Sequence, residues 1–118
     1  MTNILDKLKT VLNRTDVKLG HLPAKPDALI ALFEYDDGSG VENFLGGSLD
    51  ASDAVQVRIR DLSASLAYQT AESIQNILCG YHDNEISITQ TSKILDIGHD
   101  DANPQRQEYT INFKIRRY

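Results

Sequence analysis

The chain has 118 residues, enough for one domain (residues 1–118) that buries a modest core without disulfides or structural metals. Hydrophobic residues make up 41% of the chain and charged residues 25%, which is typical of a globular protein and excludes a disordered one. The formal net charge of -5 argues against tight nonspecific binding to nucleic acid, and no segment is apolar and long enough to span a membrane.

The chain begins with a predicted amphipathic helix. Its apolar residues recur at helical spacing: Ile4, Leu5, Leu8, Val11 and Leu12. The stretch from Thr15 to Pro26 contains glycine and prolines, which break regular structure, so we expect an irregular connection around the domain.

Three strands are predicted in the middle of the chain. The apolar run from Ala28 to Tyr35 indicates a central strand covered on both faces, and it ends at a turn rich in aspartate and glycine. A short strand is predicted over Val41–Leu45. Clean alternation follows between an apolar set and a polar set: Val55, Val57 and Ile59 against Gln56, Arg58 and Arg60.

A second helix follows, capped by Asp61 or Ser63 and stopped at Gly80. Its predicted apolar stripe consists of Ala67, Thr70, Ala71, Ile74, Ile77 and Leu78. The only cysteine, Cys79, cannot form an internal disulfide, and its apolar neighbours favour a buried structural thiol.

The C-terminal part contains two further strand regions. One long or broken strand is predicted from Ile86 to Ile97, and residues 98–105 form a polar loop. The most regular alternation lies at the end of the chain, where one side carries Tyr109, Ile111, Phe113 and Ile115. Together these elements predict an α+β domain in which an antiparallel or mixed sheet of about four to five strands packs against two helices.

Catalytic and metal-binding patterns are weak. Imidazole and carboxylate groups can hold Zn or Mn where they converge, and the candidate ligands are Asp96, His99, Asp100 and Asp101. Gly98 and Asn103-Pro104 favour a plain turn instead. No histidine is paired with a nucleophile in a recognised setting. We therefore predict no catalytic residue, no cofactor and no metal, hence a protein that is not an enzyme.

Four segments form a combined pattern: the run Asp27–Tyr35, the Asp-Gly turn after it, the strand Val55–Arg60 with a helix beginning after Leu62, and the end Arg106–Phe113 with its Asn-aromatic pair. Together they resemble the phage minor capsid protein family and the related tail terminator and tail completion proteins. The resemblance covers nearly the whole chain.

The resemblance implies a structural virion protein at the head-tail joint. Such a subunit forms a ring, commonly a hexamer, that caps the tail tube and docks to the head-completion or connector protein. Its partners would be further copies of itself, the tail-tube protein and the connector protein, with DNA only passing through the lumen and no membrane involved. It would lie in the virion, at the tail or head-tail junction, and in the host cytoplasm during assembly.

A closed ring needs two different complementary patches on each subunit. Basic residues share the polar faces of two predicted strands, namely Arg58, Arg60, Lys114 and Arg116. Acidic candidates lie in the loop after the first central strand, namely Asp36, Asp37 and Glu42. These seven residues are the candidate subunit interface, and the alternative is that they are ordinary solvated charges. The segment 36–53 either orders when the next ring docks or is a plain surface loop.

A function from another class also fits the sequence. A small bacterial α+β binding or regulatory module could use the acidic loops to bind a cation or a protein partner. The absence of a catalytic constellation in the sequence favours the virion protein.

Overall fold

The computed structural model describes residues 3–23, 27–35, 52–99 and 106–117. The elements in chain order are α1 (Ile4–Leu12), β1 (Val17–Leu19), β2 (Leu29–Tyr35), β3 (Ser52–Asp61), α2 (Ala64–Leu78), β4 (Ile86–Gln90), β5 (Leu95–His99) and β6 (Gln107–Arg117). The strand order is β1-β2-β3-β6-β4, and β5 also pairs with β6. β1 is parallel to β2 and the other pairs are antiparallel. The predicted α+β fold is confirmed, with a mixed sheet of six strands.

β6 pairs with three other strands of the sheet. One edge pairs with β3 along nearly its whole length, and the other edge pairs with β5 at its first part and with β4 at its last part. Between β4 and β5 the strand ladder is interrupted, although Thr91 N still donates to the Asn112 carbonyl and Asn112 N donates to Ser92 Oγ, both at 2.9 Å. The region from Ile86 to Ile97 is therefore a broken strand, one of the two forms that its pattern predicted.

The core lies between the two helices and one face of the sheet. α1 packs on β1 and β2, whereas α2 packs on β3, β6 and β4. The sheet contributes alternate, fully buried residues, among them Val55, Val57, Ile59, Ile111, Phe113 and Ile115. The alternation predicted for the strands that are now β3 and β6 is confirmed. Apolar burial fixes which face of each strand turns inward.

Side-chain caps set where the helices begin. Asn3 Oδ1 accepts a hydrogen bond from Leu5 N at 2.8 Å, and Ser63 Oγ accepts one from Leu66 N at 3.2 Å. Of the two capping candidates of α2, Ser63 is the N-cap residue. Gly80 follows the end of α2 at a positive φ of 78°, a conformation that glycine adopts without strain.

Three predictions about the fold are wrong, and a fourth concerns residues that the structure does not describe. The polar loop predicted over residues 98–105 begins too early, because β5 extends to His99. Val17–Leu19 forms a strand inside the predicted irregular connection, since three residues are too few to show an alternating pattern. Cys79 is exposed and not buried, because it is the C-cap residue and lies just beyond the last buried turn of α2. The strand predicted over Val41–Leu45 lies outside the described residues.

An ion-pair cluster joins α1 to the turn before β4. Lys7 Nζ lies 2.8 Å from Asp83 Oδ2, and the hydroxyl of Tyr81 donates to the same oxygen at 2.9 Å. Asp83 Oδ1 accepts from the backbone N–H groups of Glu85 and Ile86 at 2.7 and 3.0 Å. The hydrogen bond from Lys7 is the largest of the effects that lower the pKa of the Asp83 carboxyl far below its usual range.

Replacing Asp83 by Asn is expected to lower the thermal midpoint at neutral pH. A depressed pKa contributes stability above the unfolded value of about 4, and this contribution is lost as the pH falls through the folded value. The wild type should therefore lose its advantage over Asp83→Asn between about pH 5 and pH 2. Glu72→Gln removes an exposed carboxylate without an ion pair in the described ranges and serves as the control. Thermal unfolding across this pH range checks the prediction, and parallel pH profiles for wild type and Asp83→Asn would contradict it.

Two isoleucines of α2 test the placement of the core. Ile74 is fully buried and Ile77 is 37% exposed, although both belong to the apolar stripe predicted from the sequence. Ile74→Ala is expected to lower the free energy of unfolding by about 2–5 kcal/mol, and Ile77→Ala by less than about 1 kcal/mol. Urea unfolding measures both losses, provided that the slope of the free energy of unfolding against urea concentration is unchanged. Equal losses for the two variants would show that α2 packs through a different face.

Candidate assembly surface

The face of the sheet that points away from the helices, called the outer face below, carries the predicted basic residues. On β3, Arg58 lies between Ala31 of β2 and Thr110 of β6. Lys114 lies opposite Ala54, and Arg116 opposite Ser52. Because side chains alternate along a strand, all four predicted basic residues extend from this one face. The sequence predicted a shared face within each strand, and the pairing of β3 with β6 brings the two sets together.

Arg58 is held over an aromatic ring. Its Nε donates to Gln56 Oε1 at 3.1 Å, and its guanidinium carbon lies 5.8 Å from the centroid of the Phe33 ring. These three residues line an open depression of about 310 Å³ in the outer face. A cation at this distance from an aromatic face is attracted to it, so the guanidinium is ordered without the help of an ion pair.

Arg60 serves a different purpose from Arg58. Its side chain is only 3% exposed. Its Nη2 donates to the Pro23 carbonyl at 2.8 Å, and its Nε donates to the Asp27 carbonyl at 3.2 Å. Arg60 therefore fastens the connection between β1 and β2 to the sheet and is not exposed for contact with a neighbouring subunit.

Arg106 strengthens the same attachment. Its Nη2 and Nε lie 2.6 and 2.9 Å from Asp27 Oδ1, and the arginine is buried. Two buried arginines thus hold the segment around Asp27, Arg60 through backbone carbonyls and Arg106 through the Asp27 carboxylate. Such charge-assisted hydrogen bonds are among the stronger ones in proteins.

The remaining interface candidates are placed as follows. Lys114 is half-buried between Ala54 and Thr89, and Arg116 is exposed at the end of β6. Asp36, Asp37 and Glu42 lie outside the described residues. The structure thus brings Arg58, Lys114 and Arg116 to one accessible face.

Charge is unevenly distributed along the chain. The described ranges hold 11 of the 17 acidic residues and 11 of the 12 basic residues, so they are neutral in sum. The net charge of -5 comes entirely from the rest of the sequence. The segment 36–51 alone contains four acidic residues and no basic residue.

No group of three metal-ligating side chains converges within the described ranges. Asp96 Oδ1 accepts from Gly98 N at 2.8 Å and from the side-chain amide of Gln107. The side chain of His99 and the residues Asp100 and Asp101 are outside the described part. Asp96 is therefore engaged in bracing the β-bulge at the end of β5.

A second surface feature is apolar. Glu72 is the only charged residue of α2, and large apolar side chains are exposed on or next to that helix: Leu62, Leu66, Tyr68 and Ile77. The Tyr68 ring packs edge-on against Tyr109 of β6, with centroids 5.6 Å apart. Within the described chain, neither helix is long and apolar enough to cross a membrane.

Comparison with known proteins identifies the family. The family described as bacteriophage tail terminator protein matches residues 4–118. The chain belongs to this family. A tail terminator is a structural protein of the virion, so this membership gives the chain a structural role in the virion. The resemblance to tail terminator proteins that was inferred from the strand and turn pattern is confirmed.

The fold of this tail terminator also has a counterpart among solved structures. A chain of the structure described as "Virion of native gene transfer agent (GTA) particle" aligns with a TM-score of 0.58 and 12% identity. The alignment covers 93% of this chain and 83% of that chain. A search of curated proteins gave no match.

Sequence patterns missed the buried arginine attachment and the apolar surface of α2. A polar residue in an alternating strand is assigned to solvent by pattern alone, yet Arg60 is covered by the connection that it binds. Its acceptors are backbone carbonyls, which carry no residue identity, so no signal in the sequence marks them. Arg106 precedes β6 and binds the Asp27 carboxylate, which is 79 residues away in the sequence. For α2, the near absence of charged residues indicates the exposed apolar surface, since an ordinary solvated helix face is rich in charged residues.

Arg60 and Arg58 form a matched pair for a test of stability. Arg60→Ala is expected to lower the free energy of unfolding by about 1.5–3 kcal/mol, because two carbonyls lose a charged donor. Arg58→Ala should cost less than about 1 kcal/mol, the range of a partly exposed cation-aromatic contact. Denaturant unfolding of both variants checks this, and the reverse order of losses would contradict the placement of the two arginines.

Proposed function

We propose that this tail terminator assembles into a ring of six subunits that closes the end of the tail tube and contacts the head-completion or connector protein. The observation that carries the proposal is the family match over residues 4–118. The similarity in fold to a chain of a virion particle is consistent with it. On this proposal the protein lies at the head-tail junction of the virion and in the host cytoplasm during assembly.

Neighbouring subunits in the ring would meet through opposite charges. A ring is closed by a heterologous contact, in which two different patches of the same chain are complementary. The outer face presents Arg58, Lys114 and Arg116, and the segment that supplies much of the acidic excess includes Asp36, Asp37 and Glu42. The proposed contact places the outer face of one subunit against the acidic residues of the next.

DNA would pass through the lumen without being held. A net charge of -5 per subunit gives the ring as a whole a negative charge, which repels phosphates and allows passage. Tight DNA binding would be a disadvantage at a point through which the genome moves.

The ring is tested by light scattering coupled to gel filtration over a range of protein concentrations. We expect a species of six subunits that shifts to monomer as salt rises, because charge contacts at a surface are screened within about 10 Å at 0.1 M salt. Lys114→Glu combined with Arg116→Glu should weaken the assembly. Lys9→Glu, on an exposed position of α1 in the opposite layer, makes the same kind of charge change and should not.

Binding to purified tail tubes tests the capping role separately. The protein should cosediment with tubes at a ratio set by the number of tube ends and not by tube length. A monomer at every concentration that also fails to bind tubes would overturn the proposal.

A further inference from the structure

Arg58 is ordered before any partner arrives. Phe33 lies under its guanidinium and Gln56 accepts from its Nε, so two sides of the group are fixed. Within the described ranges its Nη1 and Nη2 atoms have no acceptor. A planar guanidinium that presents both Nη groups matches the two oxygens of a carboxylate, and ordering in advance reduces the entropy lost on binding.

The surroundings of Arg58 distinguish a protein partner from a phosphate. The depression is lined by Phe33, Gln56 and Arg58, and the chain carries a formal net charge of -5. That net charge repels a phosphate backbone, whereas a single carboxylate side chain of a polypeptide meets the guanidinium without bringing a row of further negative charges.

The position of the acidic excess in the chain indicates which polypeptide supplies the carboxylate. The described ranges are neutral in sum, whereas the segment 36–51 has four acidic residues and no basic one. Every further copy of the chain brings this segment, and a heterologous ring places one patch of each copy against a different patch of the next.

We propose that the depression formed by Phe33, Gln56 and Arg58 binds a carboxylate side chain from the segment 36–51 of a second copy of this chain. This inference rests on the proposed ring and names the site at which its charge contact is made. Arg58 is then the central residue of the interface, and Lys114 and Arg116 lie toward its rim. Ordered arginines beside aromatic rings are common among the residues that dominate interface energies.

Substitutions at the depression give the first test. Arg58→Gln removes the charge, and Arg58→Lys keeps the charge but loses the planar fork. We expect the dissociation constant of the oligomer to rise about tenfold or more for Arg58→Gln, with a smaller rise for Arg58→Lys. Phe33→Leu keeps an apolar side chain and removes the aromatic support, so it should also weaken assembly. Lys9→Gln is the matched control, and circular dichroism of each variant verifies that it is folded.

Charge exchange identifies the donor of the carboxylate. Arg58→Glu should abolish assembly, and one of Asp36→Arg, Asp37→Arg or Glu42→Arg, added to it, should restore assembly. Cysteines placed at Gln56 and at that acidic position, with Cys79→Ser to remove the exposed thiol, should form disulfides between subunits. Disulfides confined to single chains would overturn the assignment to a second copy.

The outcomes separate the inference from the proposed function. If the wild type assembles and Arg58→Gln assembles equally well, the inference fails while the ring stands. If the wild type neither assembles nor binds tail tubes, the ring itself fails. If Arg58→Gln assembles normally but no longer binds a short DNA duplex, the ligand of Arg58 is a phosphate. That result would overturn the inference and would place Arg58 in the lumen of the ring.

Discussion

The pairing of β6 is the constraint on which the rest of the domain depends. This C-terminal strand receives β3 on one edge and both β4 and β5 on the other. Its inward residues Ile111, Phe113 and Ile115 are fully buried beneath the helices. A slip of one residue would turn these side chains outward and the outer-face residues inward, so burial fixes the register of both neighbours at once. The layout of the outer face is a consequence of this register.

The two faces of the sheet therefore have separate tasks. The inner face supplies the core with α1 and α2, and the outer face presents Arg58, Lys114 and Arg116 at positions set by β3 and β6. Rigid strands hold charged groups more precisely than loops do, which suits the proposed contact with a neighbouring subunit in a closed ring. The buried arginines Arg60 and Arg106 belong to this design, since they fasten the connection leading into β2 at the end of the same sheet.

The sequence predicted the elements whose signal is local. Alternation located β3 and β6, helical spacing located α1 and α2, and the turn-forming residues separated them. β1 was not predicted, because its pairing partner is more than ten residues away in the sequence and three residues are too few to show an alternating pattern. The face of Arg58 and Arg60 was predicted, but their different burial was not, because the connection that covers Arg60 is brought there by tertiary packing. Family resemblance, and not residue chemistry, led to the proposed function, because a surface proposed for assembly carries no catalytic motif.

The most direct measurement is a cryo-electron microscopy reconstruction of purified tail tubes incubated with the protein. We expect one ring of six copies at a tube end, with the outer face of β3 and β6 at the boundary between subunits and density for a neighbouring chain against Arg58. A tube end without added density, or a ring in which that face points to solvent, would contradict the central claim that this face of the sheet is the assembly surface.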